Sequence, residues 1–213
     1  TIRKIGHCCL LIEIDGVRIL TDPGELSMAQ NDAENIDAIL ITHEHYDHLH
    51  IESVKKILEN NPETKIITNT SVGKILDKES IPYQIVEDTQ HIALKDVLIE
   101  AFGDVHAEIW KELGRVQNTG YFIAQKLFYP GDALYIPAKT PEILALPIAG
   151  SWIKIKEAIE YAIVVKPKTC FPVHDGVVEP KALKRLHEFI KKVFEAEEIK
   201  FTPMLAGDEH DFF

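Results

Sequence analysis

Residues 43 to 48 read His43-Glu44-His45-Tyr46-Asp47-His48, and they follow the apolar run Ile36 to Ile41 almost without a break. That run, interrupted only by Asp37, fits a buried strand. The six residues behind it carry four metal-ligand side chains. His43 and His45 are two apart, so a tight loop can turn both imidazoles toward one cation. Asp47 and His48 are adjacent and can reach toward a second. Neutral imidazole and carboxylate suit zinc, manganese and iron. A His-rich polar surface turn is the plain alternative, but placement directly at the end of an apolar strand argues for a built site.

Four donors cannot complete two metal shells, so other segments must contribute. His106 lies in Gly103-Asp104-Val105-His106, just past an expected strand at Val97 to Phe102. Asp132 lies in Pro130-Gly131-Asp132, past Leu127 to Tyr129. His174 lies in Pro172-Val173-His174-Asp175-Gly176, closing Thr169 to Val173. Each is a ligand-type residue in a turn at a strand's end, where functional side chains concentrate.

The remaining pattern supplies a scaffold. Cys9 to Ile14, a turn at Asp15-Gly16 and Val17 to Leu20 read as a hairpin that ends in Thr21-Asp22-Pro23-Gly24. Ile51, Val54, Ile57 and Leu58 have helical spacing, Ile66 to Thr68 reads as a short strand, and Ser71 to Leu76 starts another helix. Ile85, His91 to Leu94, Val97 to Phe102, Gly120 to Ala124, Leu127 to Tyr129 and Ile143 to Ile148 read as short strands, the first five assigned to a second sheet. Two late helices carry clear apolar stripes: Ile155 to Ile163, with Ser151 as its expected cap, and Ala182 to Val193, with Pro180 in its first turn. Strands first, then strands mixed with helices, fit an α/β (α+β) arrangement of two packed sheets with helices outside. No repeat or linker divides the chain, and residues 1–213 are expected to form one domain.

With these residues in hand, the order His-x-His-x-Asp-His, then His, then Gly-Asp, then His resembles the metallo-β-lactamase superfamily. Gly6-His7-Cys8-Cys9-Leu10, Thr21-Asp22-Pro23, Asn118-Thr119-Gly120-Tyr121, Leu146-Pro147-Ile148 and Pro172-Val173-His174 are similar to the branch that contains ascorbate-6-phosphate lactonase. The Thr-Pro-Gly-His-Thr stretch of glyoxalase-II-like members is replaced here by Asp104-Val105-His106-Ala107. The resemblance implies a four-layer αββα sandwich with the site at one edge of the sheets. It implies one metal on His43, His45 and His106, a second on Asp47, His48 and His174, and Asp132 bridging them. The ions would be zinc or manganese, with iron an option. A hydroxide between them would be the nucleophile and Asp47 would orient it or carry its proton. A small ester, lactone or phosphodiester would be the substrate. The alternatives are a nucleotide phosphodiesterase or nuclease, and a non-catalytic metal- or ligand-binding sensor.

Further residues are open to two readings. Asp22 is either a turn former or an acceptor that orients a ligand imidazole. His7 either faces the site or is structural. Tyr46 and Trp152 either line a pocket or pack. Glu44 and Asp175, though beside ligands, are read as solvated, and His50, His91, His187 and His210 as solvated or structural. Cys8, Cys9 and Cys170 are read as reduced, buried and spectators of the reaction. The formal charge of −11 disfavours nucleic-acid and anionic-membrane partners. No leader-like or membrane-length apolar stretch occurs. The expectation is a cytoplasmic protein acting on a small molecule, with homo-oligomerisation left open.

Overall fold

The computed structural model describes residues 1–213. The chain runs β1 (Ile2–Gly6), β2 (Cys9–Ile14), β3 (Val17–Thr21), a short 3-10 turn (Ala29–Asp32), β4 (Ala38–Leu40), α1 (Ile51–Asn60), β5 (Lys65–Thr68), α2 (Thr70–Lys78) and β6 (Gln84–Ile85). It continues through β7 (His91–Leu94), β8 (Val97–Phe102), β9 (Gly120–Ile123), β10 (Leu127–Tyr129), β11 (Ile143–Pro147), α3 (Ile155–Val165), β12 (Thr169–Val173), α4 (Pro180–Glu195), β13 (Lys200–Phe201) and β14 (Glu209–His210). Asp15 and Gly16 both have positive φ, 47° and 71°. That is the twist a two-residue hairpin needs between β2 and β3.

Two seven-stranded sheets result, ordered β14-β1-β2-β3-β4-β5-β6 and β13-β12-β11-β10-β9-β8-β7. The pairing is antiparallel from β1 to β3 and parallel from β3 to β6. It is antiparallel from β8 to β10 and parallel from β10 to β13. Each sheet thus runs through the same succession: an antiparallel edge strand (β14 or β7), three antiparallel strands, then three added in parallel, with a helix before each of the last two. This duplication has no counterpart in the sequence. Buried strands need only apolar residues on both faces, so the two halves share a chain path without sharing residues.

The apolar side chains fall into three layers. Ile2, Leu10, Ile12 and Ile19 of one sheet meet Ile99, Tyr121, Tyr129 and Phe171 of the other between the sheets. Val54 and Ile57 of α1 and Val72 and Leu76 of α2 cover Leu20, Ile39 and Ile66. Ala158 and Ala162 of α3 and Ile190 and Phe194 of α4 cover Phe122, Phe128 and Leu144. The expected αββα sandwich is therefore what the chain forms. Two local expectations fail. Ile85 pairs with Thr68 in the first sheet rather than the second, because the loop after α2 leads straight back along β5. Ser151 does not cap α3; the helix starts after Lys154, whose backbone N–H donates to the Glu157 carboxylate at 2.7 Å.

Candidate metal centre

All seven expected ligands lie beyond the ends of strands on one rim of the sandwich. The parallel strands put their C-terminal ends there, where open α/β sheets place ligands. His43, His45, Asp47 and His48 follow β4, His106 follows β8, Asp132 follows β10 and His174 follows β12. Three residues near or in the cluster hold left-handed backbone: His7 at φ 44°, Asp22 at 35° and His174 at 58°. Such strain gathers at functional sites. Gly131 is required by space as well as by its φ of 64°: a Cβ there would stand 2.4 Å from Asn118 Oδ1 and 2.8 Å from Thr42 Cβ. Asn118 in turn accepts from the Asp132 backbone N–H at 3.0 Å and donates to Pro130 O. The carboxylate of Asp132 is thereby aimed.

Hydrogen bonds fix how three of the imidazoles are turned. His106 Nδ1 donates to Ala107 O at 2.6 Å, leaving Nε2 to face the cluster. His48 Nδ1 donates to Asp22 Oδ2 at 2.7 Å. His43 Nδ1 donates to Thr42 Oγ1 at 3.0 Å, and that hydroxyl donates to Asp22 Oδ2 at 2.8 Å. Asp22 is wholly buried and also accepts from the Thr42 N–H and from Tyr129 Oη. It holds the His48 ring directly and the His43 ring through Thr42, turning an Nε2 of each inward, an arrangement common behind metal-binding histidines.

The donor spacings suit metals. A tetrahedral zinc with bonds of about 2.0–2.1 Å sets its nitrogen and oxygen donors roughly 3.3–3.4 Å apart. His43 Nε2 lies 3.1 Å from His45 Nδ1. Asp132 Oδ2 lies 3.3 Å from His106 Nε2 and 2.8 Å from His174 Nε2, and its Oδ1 lies 3.2 Å from His48 Nε2. Asp47 Oδ2 lies 3.4 Å from His174 Nε2. Two separate donor groups emerge: His43, His45, His106 and Asp132, and His7, Cys8, His48 and His174, the donor atoms of each lying within 4.8 Å of one another. Nε2 of His48, Nε2 of His106, both ring nitrogens of His174 and Oδ1 of Asp132 are buried with no hydrogen-bond partner. Orphaned buried polar atoms are costly. Divalent cations would satisfy these, so the residues fit the group that the superfamily resemblance implies.

The electrostatics agree. Burial, with His48 alongside, pushes the His43 imidazole well below its usual range, and burial with His106 lowers His45. Both therefore stand as neutral donors. Burial opposes ionisation of Asp132, but His48 and His174 hold its carboxyl well below the carboxylate range. Asp47 is likewise held low, its burial outweighed by His174 alongside and by the hydrogen bond from His7. In the metal-free chain, protons on His48 and His174 balance these anions. Burial resists them, yet Cys8 and Asp132 lift His174 to about 11, and Asp132 and Cys8 also raise His48. Bound cations would take the place of those protons.

His7 is buried and faces the cluster, its Nε2 3.2 Å from Asp47 Oδ2. A cavity of about 240 Å³ opens over the centre, walled by Tyr46, Ile109, Ser151 and Trp152 and floored by His45, Asp47 and His106 among the ligands. Tyr46 is exposed at its mouth, while Trp152 both packs and lines it, edge-on to His106 and His174. Asp175, read from sequence as solvated, is instead buried against Lys4 at 2.6 Å, with His187 Nε2 3.7 Å away. All three cysteines are free and buried, but Cys8 is not remote from the centre. It lies in the turn between β1 and β2, and its sulfur comes beside the donors of His7, His48 and His174. The signal that could have found it is its position one residue after His7, at the rim end of β1.

Comparison with known proteins bears on this geometry. The family profile described as Beta-lactamase superfamily domain matches residues 1–174. Protein Rv0786c of Mycobacterium tuberculosis is 34% identical over 186 residues, covering 85% of this chain and 86% of that protein. A UPF0173 metal-dependent hydrolase of Aeropyrum pernix is 26% identical over 90% of this chain and 88% of its own length. Among solved structures, Igni18, a metallo hydrolase from Ignicoccus hospitalis, superposes with a TM-score of 0.77 at 21% identity, over 97% of this chain and 95% of that one. These matches do not extend the likeness to the ascorbate-6-phosphate lactonase branch. No helix is long and apolar enough to cross a membrane.

Proposed function

Because the chain belongs to the metallo-β-lactamase superfamily and is a metal-dependent hydrolase, we propose that it cleaves a small ester, lactone or phosphodiester at a centre of two divalent ions. His43, His45 and His106 would hold one ion and Asp47, His48 and His174 the other, with Asp132 shared. When bound, such ions would supply the acidity that activates water for attack at neutral pH, and positive charge toward the oxygen that becomes negative. The observation that carries this reading is the convergence of buried ring nitrogens on His48, His106 and His174 upon the Asp132 carboxylate at 2.8–3.3 Å, with no well-aligned hydrogen bond among them.

The chain's own residues do the rest. Asp47 lines the cavity and accepts from His7, so its carboxylate is oriented to receive a proton from the attacking water and pass it to the leaving group. Trp152, Ile109 and Tyr46 give the cavity apolar walls. No Lys or Arg lines that cavity, which favours an ester or lactone over the nucleotide phosphodiester reading. The sensor reading is disfavoured by the complete donor set. Residues 1–213 act as one domain in this proposal, since both sheets share the core between them.

The decisive experiment is a hydrolysis panel of lactones, carboxylic esters, thioesters and phosphodiesters with zinc- and manganese-loaded protein. Turnover of a neutral acyl substrate that requires two bound ions supports the proposal. Turnover confined to nucleotides moves the assignment to the phosphodiesterase reading, and metal binding without turnover of any class moves it to the sensor.

A further inference from the structure

The donor group around the second ion contains a residue that the proposed ligand set leaves out. Cys8 sits in the turn between β1 and β2, 1% exposed, and its sulfur belongs to the cluster whose donor atoms all lie within 4.8 Å, together with His7, His48 and His174. The turn is pinned. The Cys8 carbonyl accepts from Thr21 Oγ1 at 2.8 Å and from Tyr129 Oη at 3.0 Å, so the end of β3 and the end of β10 both fix it. Tyr129 Oη also reaches Asp22, the anchor of His48. The thiol and the His48 imidazole are thus held by one shared network.

Of the four members of that cluster, His7 is committed elsewhere. Its Nδ1 accepts from the Gly176 N–H at 3.0 Å, so the ring proton sits on Nε2 and is donated to Asp47. No lone pair is left for a cation. Nε2 of His48 and both ring nitrogens of His174, by contrast, are buried and make no well-aligned hydrogen bond, their Nε2 atoms facing only the Asp132 and Asp47 carboxylates that would share the ion. The Cys8 sulfur completes a set of three free donors converging from β1, β4 and β12.

We propose that Cys8 ligates the ion held by His48 and His174, making the second position a sulfur-containing site with Asp47 and Asp132 on its cavity side. This rests on the two-ion reading above and deepens it by naming the cofactor class. The Cys8 S–H bond breaks, the sulfur's electron pair forms the bond to the cation, and the proton is released to solvent. Thiolate selects the softer ions, so this position takes zinc, cobalt or ferrous iron ahead of manganese, which prefers oxygen donors.

The test is spectroscopic and independent of turnover. Metal-free protein is loaded with zinc and its X-ray absorption fine structure recorded, and in parallel it is titrated with cobalt(II) while the near-ultraviolet sulfur-to-cobalt charge-transfer band is followed. The expected result is a sulfur scatterer at about 2.3 Å beside nitrogen and oxygen at about 2.0–2.2 Å. The cobalt band should appear with one of the two equivalents. Cys8→Ser should lose the band and bind one equivalent at least tenfold more weakly, while Cys9→Ser and Cys170→Ser keep both. If Cys8→Ser does not fold, the unmodified protein's spectra decide alone. Two ions bound with only nitrogen and oxygen scatterers and no band would overturn the Cys8 assignment and leave the two-ion reading standing. A chain that binds neither ion would overturn both.

Discussion

The carboxylate of Asp22 accepts from His48 Nδ1 at 2.7 Å, and neither side chain meets solvent. Asp22 and His48 are far apart in the chain, yet the turn at Asp22-Pro23-Gly24 lies directly against the His-rich loop. A Cβ on Gly24 would fall 1.9 Å from Asp47 O. The contact fixes which nitrogen of His48 faces the centre. Asp22→Asn removes the negative acceptor and offers an amide that can meet Nδ1–H with a second donor. The expected outcome is roughly a 10–100-fold loss in affinity for one ion, the usual cost of losing such a partner. Isothermal titration with zinc measures it; two unchanged affinities would mean that the ring is held by packing.

Asp132 stands in a different relation to the same ions, since its two oxygens approach donors of both groups. Asp132→Ala should therefore lower kcat/KM more than Asp22→Ala does, and reduce the affinity for both ions rather than one. Steady-state kinetics on any hydrolysed substrate, paired with metal content, checks this. Equal losses in the two variants would remove Asp132 from the shared position.

His7 touches Asp47 and no other proposed ligand by hydrogen bond, and the proton on its Nε2 is set by the Gly176 N–H at Nδ1. His7→Asn suits the left-handed backbone at that position, which Asn tolerates better than most residues, but its shorter side chain cannot span both partners. We expect kcat to fall about 10–100-fold with KM little changed, and the acid limb of the kcat profile to move as Asp47 loses its donor. A variant with kcat intact, or one whose KM carries the whole loss, would show that His7 does not position Asp47.

Behind the centre, Lys4 Nζ donates to Asp175 at 2.6 Å and to Pro172 O at 2.9 Å, all out of solvent. Burial opposes the charge on Asp175, but His187 and Lys4 hold its carboxyl below the usual range. A carboxyl with a depressed folded-state pKa contributes stability above its unfolded value, about 3.9, and that contribution is lost as pH falls further. Stability should thus decline on the acid side of about pH 4. Lys4→Met leaves an uncompensated buried charge and should cost about 3–5 kcal/mol at neutral pH, read by urea denaturation. Lys4→Met/Asp175→Leu should recover most of it. A single variant as stable as wild type would mean that the pair contributes nothing.

Where the sequence spoke clearly, it did so through position as well as composition. His43 to His48, His106, Asp132 and His174 could be read because each stands directly after an apolar run, and the chain brings all of them to one rim. Lys4 carries a charge that argues for the surface. Yet the alternation of β1 sets it on the same buried face as Ile2 and opposite the exposed Arg3, so period two alone would have placed it inside. Cys8 was hidden for the reverse reason, since its burial is ordinary and only the fold brings His48 and His174 beside it. The duplicated strand order was beyond reach, because continuous apolar runs such as Leu144 to Leu146 and Ile39 to Ile41 carry no register information.

The unfolded chain cannot gather donors from β1, β4, β8, β10 and β12, so only the folded state binds tightly. Free metal at 100 times its dissociation constant then stabilises by about 2.7 kcal/mol per site. Dialysis against a chelator should lower Tm and abolish hydrolysis, and zinc should restore both. Because the cysteine and histidine donors must shed protons to bind, stabilisation by zinc should shrink as pH falls and grow as it rises. The expected chemistry uses water as nucleophile, so a single turnover in ¹⁸O-water should label the product from solvent and leave no group on Cys9, Cys170 or any other side chain. Hydrolysis that persists after elemental analysis reads zero metal, or an acyl group trapped on the protein, would overturn the metal-dependent mechanism and force a protein nucleophile back into consideration.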